Sequence, residues 1–153
     1  MRQSMMATLG MTVVTLAVGA LIAADAEDAK KDLDKLKGTW VLVAGKRDGK
    51  KFTEEQVKKT KLFIQGDTFR IPESSVATSE DGTINIDPNK KPKQMNATTG
   101  SGSDKGKTWQ GIYELGADNY KVCFAPPGKD RPTEFSSKTG SEHLFQVWKR
   151  EKE

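Results

Sequence analysis

Cysteine and histidine are almost missing from this chain: Cys123 and His143 are the only ones. One cysteine excludes an internal disulfide framework. One histidine, with no Cys/His/carboxylate cluster at ligand spacing around it, excludes a zinc site built on familiar patterns. There is no Gly-x-Ser-x-Gly, and Ser141, Glu142 and His143 are chain neighbours, so on a strand their side chains cannot converge into a triad. No catalytic residue, cofactor or metal is therefore expected, and the chain reads as a non-enzyme. A calcium loop over Ser79 to Asn85 also fails. Aligning on Gly82 puts Ala77 at the first ligand position and Pro88 at the twelfth, where a bidentate Glu is required.

A long apolar run is missing as well. The most hydrophobic stretch, Met11 to Ile22, covers about a dozen residues, short of the ~20 that span a bilayer. With Arg2 before it and Ala24-Asp25-Ala26 after it, residues 1–26 match a cleavable secretory signal. The protein is thus expected to be exported, periplasmic or extracellular, without a stable membrane span after cleavage. No cysteine near the cut could carry a lipid. Nor does either sign of charge dominate. The net charge of +4 survives removal of the leader, which holds one basic and one acidic residue, and the signs are interspersed. That is a solvated surface rather than a nucleic-acid footprint.

What is present is strand periodicity. Residues 27–36 are charged, with Leu33 and Leu36 three apart, and read as a linker or short N-terminal helix. Trp40 to Ala44 forms a first strand ending in a turn at Asp48-Gly49. Thr53 and Gln56 have capping-box spacing and start a short helix that ends by about Thr60. Further strands are expected at Lys61 to Gln65, Thr68 to Ile71, Ser75 to Ser79, Thr83 to Asp87, Gln94 to Thr98, Thr108 to Leu115, Asn119 to Ala125, Thr133 to Ser137 and His143 to Arg150. Asp81-Gly82 reads as a hairpin turn, and 100–106 as a flexible loop by composition. Eight or nine short strands with one short helix predict an antiparallel barrel or sandwich. Closure favours the barrel, because it leaves no exposed edges.

Gly38-Thr39-Trp40 opening the first strand and Arg150 closing the last resemble the ends of a lipocalin-like barrel. Lys37 to Trp40, Asp87 to Lys93, Gly111 to Leu115, Cys123 to Pro132 and Lys149 to Glu151 together resemble an uncharacterised lipocalin-like domain family of planctomycetes, over roughly Leu36 to Glu151. The resemblance implies an all-β, up-and-down barrel over 37–151, with one short helix after the first strand, usually on exported proteins. It implies no activity, ligand or cofactor. The loop 100–106 and the pair Asn96-Ala97 depart from the family pattern.

Three sets of candidate residues follow. Trp40 and Arg150 are expected to close the barrel, with the guanidinium on the indole face. The strand aromatics Phe69, Trp109, Tyr113 and Phe124 either fill the interior or line a small hydrophobic ligand, since about eight strands leave room for one or the other. Lys90, Lys91 and Lys93 in loop 89–93, with Lys129 and Arg131 in loop 128–132, either are solvated or form an anion-binding rim for an envelope polymer or partner protein. Cys123 is either a small strand hydrophobe or one half of an intermolecular disulfide. A monomer that captures a small hydrophobic molecule is the leading reading, and an interaction module using the basic loops is its rival.

Overall fold

Alternating burial along the strands sets the architecture. In the computed structural model, which describes residues 17–73 and 79–152, β1 (Gly38–Arg47), β2 (Lys50–Lys51), β3 (Lys61–Gln65), β4 (Thr68–Ile71), β5 (Glu80–Asp87), β6 (Lys93–Thr99), β7 (Thr108–Leu115), β8 (Asn119–Ala125) and β9 (Leu144–Arg150) pair antiparallel in one sheet. Each strand pairs with the next, except that β3 returns to β1. Pairing of β1 with β9 then closes an eight-strand barrel, with β2 as a two-residue extension beside the end of β1. The fold is the expected lipocalin-like all-β barrel. Closure satisfies the backbone of every edge that an open sheet would expose.

The interior is filled by every second residue: Leu62 and Ile64, Phe69, Ile84 and Ile86, Met95, Tyr113, Tyr120 and Val122, and Trp148. In β1 the phase breaks. Its register on β9 slips between Leu42 and Ala44, a bulge that places two residues against one. After the slip Gly45 pairs with Gln146 and Arg47 with Leu144, so Arg47 is carried onto the inner face.

The two ends of the barrel differ. At the first, the chain enters at Gly38 and leaves at Arg150, and the turns 66–67, 88–92 and 116–118 gather there. Helix α1 (Ala17–Leu36) caps this end and includes residues 27–36, so that segment is helix rather than linker. The helix also runs through the expected cleavage site at Ala24 to Ala26. Arg2 and residues 11–16, half of the apolar part of the expected signal, lie outside the described residues. No described helix is long and apolar enough to cross a membrane. At the other end stand the β1–β2 turn, the 100–107 loop and the long connection from β8 to β9. Helix α2 (Glu54–Lys58) begins with the expected capping box, Thr53 Oγ1 accepting from Gln56 N and Gln56 Oε1 accepting from Thr53 N.

Two sequence expectations need correction. Asp81-Gly82 is no hairpin turn but the interior of β5, paired with Arg70 and Phe69. Gly82 is required by close packing: a Cβ there would lie 2.0 Å from the Thr98 carbonyl oxygen and 2.8 Å from the Phe69 ring. Thr133 to Ser137 is not a strand. It belongs to the irregular 126–143 connection, which folds back over the outside of the barrel and buries the outward-facing Cys123. The expected strand over Ser75 to Ser79 lies almost wholly outside the described residues.

Candidate functional site

The capped end is sealed by side chains. Trp40 is fully buried, its Nε1 donates to Leu36 O at 2.8 Å, and the Arg150 guanidinium lies 4.3 Å from the ring centroid. Arg150 also donates to the carbonyls of Lys35 and Lys37 at the end of α1. Cation–π contact and carbonyl capture therefore act together, tying the last strand to the helix and the first strand. Deeper along α1, buried Asp32 accepts from Lys93 Nζ at 2.6 Å and from the Tyr113 hydroxyl at 2.8 Å. Burial, with that carboxylate beside it, pushes the Tyr113 phenol well above its usual range.

The open end leads into a cavity of about 100 Å³. Phe69, Trp109 and Phe124, three of the four aromatics picked out as ligand-lining, are in its wall, with Ile84, Met95 and Trp148. Tyr113 is not; it belongs to the capped end, where its hydroxyl meets Asp32. Phe52 completes the wall by filling the space left by the missing side chain of Gly45, where a Cβ would lie 2.1 Å from its ring. The void is smaller than the ~150 Å³ that holds benzene, and well below the roughly 300 Å³ where drug-sized sites begin.

Polar groups collect at the mouth of this cavity: Arg47, Glu80 and Gln146 all line it. Arg47 faces inward because of the bulge. Glu80 is in phase with Gly82, Ile84 and Ile86, and Gln146 with Leu144 and Trp148. Burial raises the Glu80 carboxyl above its ordinary value, opposed by a 3.4 Å hydrogen bond from Thr99 Oγ1 and by the charge of Arg47. None of these three was singled out from the sequence. The i, i+2 phase of Glu80 with Ile84 and Ile86 was readable once Asp81-Gly82 is strand. Arg47 carried no signal, because its orientation depends on the bulge. Deeper in the wall, Trp148 Nε1 is a buried donor without a hydrogen-bond partner among the described residues.

The anion-binding rim is not assembled. Loop 89–93 lies at the capped end, whereas 128–132 follows the open end of β8 and runs down the outside wall. Lys93 is held by Asp32 and Lys129 pairs with Glu142. Arg131 donates to the carbonyls of Met95 and Gly111 and to Asn96 Oδ1, at 3.0, 2.6 and 2.7 Å. It clamps the loop to β6 and β7 and gives Asn96 a polar partner on the outer face. Lys90, Lys91 and Lys129 are the exposed cations of this set, and of the three Lys129 is the one in an ion pair.

Cys123 is fully buried and its thiol donates to Ser136 O at 3.3 Å. Burial raises its pKa, so the small-hydrophobe reading is the one its surroundings favour. Among the described residues no three or more His, Cys, Asp or Glu lie close enough together to hold a metal ion. Compared with models of known protein families, with curated proteins and with solved structures, the chain gives no match.

Proposed function

We propose that the barrel binds a small, mainly apolar molecule through its open mouth, and that the chain is an exported, monomeric binding protein of the lipocalin-like family it resembles, without catalysis. The supporting observation is the cavity: among the described residues, an apolar void inside a closed barrel with polar side chains at one end of its wall. Such an arrangement, apolar walls with a few convergent polar groups, is what small-molecule sites have in common. The cavity volume limits the buried part of the ligand to something smaller than benzene. The rival reading, a polymer- or protein-binding rim of basic loops, is weakened because the loops stand apart and most of their cations are engaged.

Xenon tests the reading without assuming a head group, since apolar cavities of this kind take it up. Under xenon pressure, the methyl resonances of Met95 and Ile84 are expected to shift while those of the outward-facing Val43 stay in place. Unmoved Met95 and Ile84 methyls would end the ligand reading.

A further inference from the structure

The mouth of the cavity also restricts the chemistry of what enters. Arg47, Glu80 and Gln146 are the polar inner-face residues where the apolar wall ends, and they come from β1, β5 and β9. Arg47 offers donors and a positive charge, Glu80 acceptors and a negative charge, and Gln146 one group of each kind. Arg47 and Glu80 act on one another electrostatically without forming an ion pair. A head group between them therefore meets both signs. A carboxylate drawn to Arg47 is opposed by Glu80, and an ammonium drawn to Glu80 is opposed by Arg47. Arg47 is exposed and Glu80 half-buried, so the opposition to an anion beside Glu80 is the less screened of the two.

Building on the ligand-binding reading above, we infer that the occupant is a small neutral amphiphile. A short aliphatic body fills the cavity, and a head that both donates and accepts hydrogen bonds, as in a primary amide or an alcohol, sits among Arg47, Glu80 and Gln146. The head donates to Glu80 and accepts from Arg47 or Gln146, leaving no charge uncompensated. The body is a chain rather than a ring, because the cavity is below the size that encloses benzene. Trp148 Nε1 is set apart from this head-group site. Its residue pairs with Leu42 and Tyr120 toward the middle of the barrel, beside the body of the ligand.

Titration of the full chain with butanamide, butanoate and butylammonium at pH 8, followed through the Met95 and Ile84 methyl resonances, tests this. Butanamide is expected to bind about tenfold or more tightly than either ion, since like-charge juxtaposition in a site costs at least that. Glu80→Gln is expected to strengthen butanoate by about tenfold, and Arg47→Gln to do the same for butylammonium. Equal binding of amide and ions, or no gain of butanoate in Glu80→Gln, would each overturn the assignment. If xenon enters but the head groups are not ranked, this inference alone fails. If xenon does not enter, the underlying reading fails with it.

Discussion

Asp32→Ala removes the carboxylate that fastens helix α1 to the barrel, and its cost can be worked from two contacts. The first is the hydrogen bond from the Tyr113 hydroxyl, on a side chain that is 1% exposed. Losing the acceptor strands a buried donor, which costs about 1–3 kcal/mol. The second is the ion pair with Lys93, whose side chain is 38% exposed against 8% for Asp32. With Lys93 that wet, the pair is worth at most ~1 kcal/mol. The sum is about 1–4 kcal/mol, or roughly 2–16 °C in Tm for a chain of this size. Thermal unfolding followed by circular dichroism measures it, and the double variant with Tyr113→Phe tests the cause. If the stranded hydroxyl is the main cost, removing it restores about 1–2 kcal/mol relative to the sum of the single changes. Amide exchange should speed up in α1 while the central strands stay protected. Strict additivity of the two substitutions, or a Tm change within about 1 °C, would refute the reasoning.

Trp40→Ala is expected to cost about 3–5 kcal/mol, as for other large core aromatics, and an unchanged midpoint in a thermal scan would remove its role as barrel closure. Cys123 is expected to stay unreactive to a thiol reagent until the chain unfolds, and the native protein to run as a monomer on a non-reducing gel; rapid native labelling would contradict its burial. Glu80 gives a pH signature. Its folded pKa lies above the unfolded one, so its stabilising form is the protonated one. That contribution is complete below the unfolded value of about 4.3 and is lost as pH rises through the folded value. Glu80→Gln, which mimics the neutral form while Arg47, Asp81 and Asp104 remain, should therefore melt higher than wild type at pH 7–8. The gap should close near pH 4, and a gap that widens in acid would reverse the sign.

The parts of this fold that were legible in the sequence are those governed by neighbours in the chain. The alternation at Ile84 and Ile86, the capping box at Thr53 and Gln56, and the Asp48-Gly49 turn all rest on local rules, and all are present in the structure. Trp40 and Arg150 were readable as the two ends of a barrel motif, although 110 positions apart in the numbering, because the resemblance supplied their proximity. What could not be read depends on distant packing. Asp-Gly signals a turn by composition, yet Gly82 is dictated by Phe69 and Thr98 across the sheet. Lys and Arg in a Pro-containing loop look the same whether they face solvent or, like Arg131, reach into backbone carbonyls. Asp32 looks like one more charge in a charged segment until α1 is docked.

The same distinction explains why the candidate site was the least legible part. A barrel interior is written as alternation, so its apolar members announce themselves, and three of the four aromatics proposed for a ligand do line the cavity. Tyr113 obeys the alternation equally well but sits at the capped end, because position along a strand, not phase, decides which end a residue serves. The polar members follow a different logic. Arg47 would point outward on an unbroken strand, and only the slip between Leu42 and Ala44 brings it inside. A bulge that leaves a charged side chain facing an apolar cavity does nothing for core packing. Half-burying Glu80 at the same mouth works against stability. The capped end, by contrast, gives the buried polar groups of Trp40, Asp32 and Tyr113, and Arg150 beside them, a carbonyl, a charged partner, a hydroxyl or a ring. The unfavourable electrostatics are confined to the one end through which a molecule could pass, and that asymmetry is the physical case for placing function there.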